Sequence, residues 1–308
     1  MSQSCVIFAA GSYYGNEPHG GDLPIDALVI AADGGFDHAN VLGIKPDLVI
    51  GDFDSANASI PQGIETIRLP AEHDDPDMLS ALKIGWSRGC RDFFIYGALG
   101  GRIDHAIANV QLLAFLSHHG GRGLLFGGDS VVTAICNGSL TFMPHSHKTV
   151  ALEAATNFPI TTIAGSSHYG GFMPDRSEDI ALHSSSRGTY PEADSSDTGH
   201  RISHTISVFS YSNVSTGVSE TGLKYELDNV TICNDEVLGV SNEFLDGRPA
   251  SINVADGTLI VTFPTGTAPP TFRTTVKPSE TLGPLASQVS ASLSVHYSER
   301  SPKPARKP

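Results

Sequence analysis

Short apolar runs alternate with stretches of helical spacing over the first 140 or so positions of the chain. Six runs predict strands: Cys5–Ala10, Ala27–Ala32, Asp47–Gly51, Glu65–Leu69, Phe93–Gly97 and Gly123–Phe126. Strands interleaved with helices in this way predict an α/β sheet. One helix is expected over Pro76–Ser87, with Asp75 as N-cap and Pro76 in the first helical position. Its Leu79, Leu82 and Trp86 recur at helical spacing and would face the sheet. A second helix starts near Arg102, where Ile103, Ile107, Val110 and Ala114 form one apolar stripe.

From Thr205 to Phe263 the pattern changes to short β-rich runs, Thr205–Tyr211, Leu223–Leu227, Ala250–Val254 and Thr258–Phe263, separated by Gly, Asn and Asp. This predicts a small antiparallel β-sandwich or barrel, to which Thr149–Ala155 would add a strand. The expected organisation is an N-terminal α/β domain over residues 1–145 and a C-terminal antiparallel β-sandwich domain over 146–263. Two stretches lack apolar periodicity. Residues 165–204, rich in Ser, Gly, His and Asp, are expected to be a disordered insert, and the Pro-, Ser- and Thr-rich residues 264–308, basic from Lys303 to Lys307, a disordered tail.

Composition narrows the function classes. A chain of 308 residues, 40% hydrophobic, is long enough for two cores, yet no apolar run approaches the ~20 residues of a membrane span. The run Cys5–Ala10 is short and lacks a basic leader, so it reads as a strand and not as a secretory signal. Four scattered cysteines without a CxxC pair fit a reducing compartment, and the cytoplasm is the expected location. The net charge of −14 argues against nucleic acid as a partner. It permits a nucleotide, because carboxylates can hold phosphates through a bridging metal ion.

The candidate chemistry is acidic and clustered. Asp33 follows a predicted strand, and so does the group in Pro46-Asp47-Leu-Val-Ile-Gly51-Asp52-Phe53-Asp54-Ser55. In open α/β sheets ligands bind beyond the carboxyl ends of the strands. Several carboxylates converging there are most simply kept ionised by a shared divalent cation. Asp52 and Asp54, two apart, are placed to chelate one ion, and hard oxygen donors favour Mg²⁺ or Mn²⁺. A second acidic group comprises Glu72, Asp74, Asp75 and Asp77. Capping accounts for Asp75, and Asp74 and Asp77 are assigned to the metal–nucleotide site. A third stretch, Gly97-Ala-Leu-Gly100-Gly101-Arg102-Ile103-Asp104-His105 with Asn109 one turn on, has glycines leading into a helix. Backbone N–H groups of Gly100 and Gly101 and the guanidinium of Arg102 are suited to phosphate oxygens. His105 reads equally well as a functional residue or as a helix-surface or core histidine.

In order and spacing, the motifs ADGG, PDLVIGDFDS, PxE-x-D-x-x-D and GGRIDHAIAN resemble thiamine pyrophosphokinase. Thr221-Gly222-Leu223-Lys224-Tyr225 and Gly239-Val240-Ser241-Asn242-Glu243 are similar to that family's "GLKY" and "SNE" signatures. The resemblance spans roughly residues 5–140 and 205–263. It implies ATP and thiamine as substrates, thiamine diphosphate and AMP as products, Mg²⁺ as the metal, and a homodimer with sites between subunits. It places Asp33 with Gly34 and Gly35, Asp52, Asp54, Asp74 and Asp77 at the metal and ATP positions. Arg102 and Asp104 would border the phosphates, and Ser241 and Asn242 would approach thiamine. Where the family commonly reads Lys-Asp-x-Thr-Asp, this chain has His73-Asp74-Asp75-Pro76-Asp77, which keeps the carboxylates and loses a Lys and a Thr. Another Mg²⁺-dependent phosphate- or nucleotide-processing enzyme, or a non-catalytic thiamine or nucleotide sensor, are the competing readings.

Overall fold

The computed structural model describes residues 3–15, 17–18, 22–52, 63–70, 75–144 and 204–286, all within one compact unit. Asp54, Glu72, His73, Asp74, the Thr149–Ala155 run, insert residues 165–203 and the basic end at 303–307 lie outside the described residues.

Each of the six strands expected in the first half is present: β1 (Gln3–Phe8), β2 (Leu28–Ala32), β3 (Leu48–Gly51), β4 (Glu65–Arg68), β5 (Cys90–Tyr96) and β6 (Arg122–Phe126). They pair in parallel in the order β4-β3-β2-β1-β5-β6. Apart from the edge strand β4, side chains alternate between two buried faces, which explains the unbroken apolar runs. Cys5, Ile7, Ile30, Leu48, Ile50, Phe93 and Ile95 share one core with Leu82 and Trp86 of α2 (Asp77–Ser87) and Leu113 and Leu116 of α3 (Ile103–His118). Val6, Phe8 and Val29 pack on the opposite face around Ala39 of α1 (Gly35–Val41). That helix, which begins inside the ADGG motif, is not expected from the pattern. It is only 7 residues long and too short to show a period.

Two other expectations are corrected. The stripe Ile103, Ile107, Val110, Ala114 does not face the core along its length. Ile103 and Ile107 are 75% and 56% exposed, and only the later part of the stripe, Val110 and Ala114, packs with Leu113 and Leu116 against the core. Asp75 is not the N-cap of α2. Pro76, with ψ 147°, occupies that position without a side-chain cap, leaving Asp75 one residue further out.

The β-rich half is continuous with this sheet. β7 (Ser130–Phe142) pairs antiparallel with β6 and with β12 (Ala250–Pro264), running from Ser130 opposite Pro264 to Phe142 opposite Ala250. Midway the register shifts between Val254 and Thr258, opposite Asn137, whose φ is +45°. There Asn137 Oδ1 accepts the Gly257 N–H at 2.8 Å. Asn137-Gly138 and Asp256-Gly257 are residue pairs common in turns, and Asp256-Gly257 divides the expected Ala250–Val254 and Thr258–Phe263. Here they form facing irregularities that bend a continuous ladder. On one side of the bend β8 (Thr205–Ser210) pairs with β12 and β11 (Gly239–Glu243) pairs with β8. On the other side β9 (Val214–Thr221) joins β12, β10 (Leu227–Cys233) joins β9, and β13 (Thr271–Thr274) joins β7. Side chains from both branches fill one core, where the Phe142 ring lies edge-on to Phe244 and Phe263 at 5.2 Å.

The expected strand Leu223–Leu227 is a loop with a single bridge, Leu223 to Phe244. Nor does a disordered tail begin at Pro264. Residues 264–286 continue the ordered chain, because β13 supplies backbone partners to β7 and Leu282 is buried.

Candidate active site

The order of the parallel sheet reverses between β1 and β5, the kind of switch point beside which ligands bind in open α/β sheets. The ladder continues past both strand ends, with Ala9 N–H donating to Tyr96 O and Gly11 N–H to Gly97 O. The approach is so close that a Cβ on Gly11 would lie 2.4 Å from Gly97 O. Gly97, Gly100 and Gly101 all have positive φ, so the β5–α3 turn needs residues without a Cβ. Asn109 fastens this turn by donating from Nδ2 to Ala98 O at 2.8 Å.

Arg102 and Asp104 stand where this turn enters α3. Arg102 Nε and Nη2 donate to the two oxygens of Asp104 at 3.1 and 2.5 Å, and both side chains are largely exposed. The guanidinium holds the Asp104 carboxyl down to about 2, aided by the His105 backbone N–H. Arg102 is thus preset by a partner on its own helix, beside the glycine turn. His105 is exposed on the same first turn, which removes its core reading.

The next two strands bring Asp33 and Asp52 to the same edge. Asp33 follows β2 with φ +48°, a left-handed conformation that Asp tolerates better than most residues, and its N–H donates to Ile50 O at 2.8 Å. Gly51 eases that contact, since a Cβ there would lie 3.0 Å from Asp33 Cα. Gly35 lets α1 start tightly over the end of β1, its Cβ position falling 2.0 Å from Phe8 O, and Gly34 packs on Ala10. Asp52 follows β3 directly, and its carbonyl accepts from Arg68. Asp77 opens α2, which follows the carboxyl end of β4 and so starts at this edge. Asp47 does not join them. It precedes β3 at the opposite edge, where its Oδ2 accepts the Val29 N–H at 2.8 Å.

Asp33, Asp52 and Asp77 are hard oxygen donors of the type Mg²⁺ takes. Among the described residues, no three His, Cys, Asp or Glu side chains stand close enough to hold a metal. Asp54 and Asp74, the other expected contributors, lie outside those residues.

The aromatic loop after β1 carried no signal beyond a Gly-Ser-Tyr-Tyr-Gly run behind a buried strand. Tyr13 donates to Ala9 O and stacks on His38 at 3.9 Å, and burial raises the Tyr13 hydroxyl and lowers the His38 imidazole. Tyr14 lies against Gly100 and Gly128 and is half exposed above the glycine turns.

The second cluster lies in the β-rich half. Asn242 is buried, and its side chain fills all four of its hydrogen-bonding positions. Nδ2 donates to Glu220 Oε2 at 2.9 Å and Tyr225 O at 2.6 Å, while Oδ1 accepts from Tyr225 N at 3.0 Å and Glu243 N at 2.9 Å. Lys224 adds a backbone bond to Glu243 O and an ion pair to Glu243 Oε1 at 2.7 Å. The "GLKY" and "SNE" segments are therefore one clasp. It leaves Tyr225 62% exposed, and also Ser241, which has φ +59° and a backbone N–H bonded to Ser207 Oγ. Asn242 occupies the clasp and not a ligand-facing position. Beneath it Glu220 is fully buried, and desolvation raises its carboxyl above the ordinary glutamate range. Nothing in the sequence pattern singles out Glu220, which sits in β9 among Val, Ser, Thr and Gly.

Comparison with known proteins adds an independent line. Residues 25–122 match the family described as thiamin pyrophosphokinase, catalytic domain, and residues 196–259 match thiamin pyrophosphokinase, vitamin B1 binding domain. A sequence comparison with curated proteins finds no match. Among solved structures, the fold is similar to thiamine pyrophosphokinase from Bacillus subtilis, with TM-score 0.60, 19% identity, and coverage of 85% of this chain and 99% of that one. The enzyme from Geobacillus thermodenitrificans gives 0.58 and 20%, covering 85% and 98%, and that from Candida albicans 0.53 and 12%, covering 85% and 89%. The two matched domains, in order, cover more than half of the sequence, and the chain belongs to the thiamin pyrophosphokinase family.

Proposed function

We propose that the thiamine diphosphokinase reaction of this family takes place at the carboxyl edge of the parallel sheet, where Asp33, Asp52 and Asp77 meet the glycine turn and Arg102. The observation that carries this reading is the packing of Asp33 on Gly51, which sets Asp33 beside Asp52 on neighbouring strand ends. In the reaction the thiamine hydroxyl oxygen bonds to the β-phosphorus of ATP, the bond from that phosphorus to the α,β-bridging oxygen breaks, and AMP leaves. Arg102 and the N–H groups of Gly100 and Gly101 would bind phosphate oxygens, and Asp77 or Asp74 would accept the hydroxyl proton. Mg²⁺ bound by Asp52, Asp54 and Asp77 would neutralise charge on the phosphates. The exposed Ser241 and Tyr225, presented by the Asn242 clasp, would meet thiamine.

A homodimer is part of the proposal. Ile103 and Ile107 are exposed on the first two turns of α3, beside Arg102, and a second copy covering them would close the site. A cytoplasmic location fits the acidic, cysteine-poor sequence, and among the described residues no helix is long and apolar enough to cross a membrane.

The test is incubation of the chain with ATP, Mg²⁺ and thiamine, followed by quantification of AMP and thiamine diphosphate. Equal formation of both, abolished by a chelator, is expected. ATP consumption without thiamine diphosphate would point to a different acceptor, and ligand binding without turnover to a sensor.

A further inference from the structure

The chain beyond β13 runs along α2 from its last turn to its first. At the start, a Cβ on Gly120 would lie 2.7 Å from Pro278 N, so glycine lets the segment cross the end of α3 closely. Ser279 N–H donates to His119 O at 3.0 Å, and Ser279 O accepts from the indole N–H of Trp86 at 3.1 Å. Leu282 then enters the core that Trp86 and Leu82 occupy. Lys83 Nζ donates to Pro284 O at 2.7 Å and to Asp75 Oδ2 at 2.5 Å, and the same Asp75 oxygen accepts the Ala286 N–H at 3.2 Å. The Lys83 and Asp75 side chains are 11% and 12% exposed, so the pair is largely withdrawn from solvent. Eleven helical residues rise about 16 Å, a length that the run from Ser279 to Ala286, bent at Gly283 with φ +95°, is long enough to cover.

These contacts lie beyond residue 259, where the vitamin B1-binding match ends. They converge on Asp75, two residues before Asp77. We infer that residues 275–286 are a strap that sets the first turn of α2 against the sheet edge, with Asp75 and Lys83 as positioning residues for Asp77 in binding Mg²⁺·ATP. The carboxylate of Asp75 is held from the helix by Lys83 and from the strap by Ala286. The entry to α2 has no side-chain cap of its own, and this junction takes over its placement. The inference rests on the proposed role of Asp77 and deepens it.

Trp86 is the only tryptophan and donates directly to the strap, so its emission reports docking. The full chain is compared with Leu282→Ala and Lys83→Met by Trp86 fluorescence, amide exchange over Asp77–Ala81, and direct titration with Mg²⁺·ATP and with thiamine. Release of the strap is expected to red-shift Trp86 and speed exchange in the first turn of α2. Affinity for Mg²⁺·ATP should fall about tenfold, since small misplacements of a positioned group are costly, while thiamine affinity holds. Lys83→Met keeps the apolar stem and serves where Leu282→Ala fails to fold. A red shift with unchanged exchange and Mg²⁺·ATP affinity would overturn the inference, leaving the strap a packing element. Absence of a red shift in both variants would overturn it too. A wild-type chain that binds Mg²⁺·ATP yet forms no thiamine diphosphate would refute the proposed function and leave this binding test readable.

Discussion

The two motif-bearing regions use polar residues in opposite ways. At the carboxyl edge, the backbone does the arranging. Glycines at 11, 35 and 97 let strands and turns approach to distances a Cβ would forbid, and Asp33 and Asp52 are carried there on strand ends. In the β-rich half the side chains do the arranging. Asn242, Lys224 and Glu243 bond one another and the loop backbone, and what they hold out is Tyr225 and Ser241. A polar residue inside a strong motif is therefore not by itself evidence of ligand contact. In one region it stands at strand ends that the backbone arranges, where we propose the chemistry lies, and in the other it is the scaffold.

Substitution of Asp52 by Asn tests the edge most severely. Turnover should fall about 10²–10³-fold, the range for losing one preorganised electrostatic group, with an unchanged circular dichroism spectrum. Activity within a few-fold of wild type would remove Asp52 from the chemistry. The clasp predicts a different failure. In Asn242→Leu the Tyr225 and Glu243 N–H groups, Tyr225 O and the Glu220 carboxyl all lose a partner, at about 1–3 kcal/mol for each buried group. Stability from the denaturant midpoint should drop by about 3 kcal/mol or more, thiamine affinity should be lost, and ATP affinity should persist in the folded fraction. Equal loss of both affinities at full stability would make Asn242 a ligand residue after all.

Arg102→Ala should weaken ATP binding about tenfold by removing a charge-assisted donor. Because its pair with Asp104 is solvent-exposed, the melting temperature should not move. The smallest effect concerns Glu220. Its folded carboxyl is raised by burial, so it binds its proton more tightly folded than unfolded. Its contribution is complete below the ordinary glutamate value and fades as pH climbs through the raised folded value. Wild type should therefore lose stability relative to Glu220→Gln as pH rises across that window. Parallel pH–melting curves for the two chains would show that Glu220 does not titrate in this range.

Legibility followed the range of the interactions. β1, β2, β3, β5 and β6 were readable because a strand buried on both faces is an apolar run, a local property. β7 was not read as a strand, and β12 was read as two, divided at Asp256-Gly257, whose residues have turn chemistry. Only the position of Asn137-Gly138 opposite that pair makes the two a bend within a ladder. The stripe on α3 was correctly helical in period. Which face meets the sheet depends on neighbours that periodicity does not name, and Ile103 and Ile107 were left outside. Likewise Asp75 has the sequence context of a cap, but its partners Lys83 and Ala286 are 8 and 211 residues away.

From sequence alone came the α/β and β-rich halves, the acidic groups at strand ends, the glycine turn before Arg102, and the family, because each rests on residue type and local spacing. The tertiary structure decided that both halves share a sheet, that Asp47 stands at the far edge, that Asn242 closes a clasp, and that residues beyond 264 bind α2. Those outcomes depend on pairing register, close backbone approach and long-range hydrogen bonds, each set by which distant segments meet.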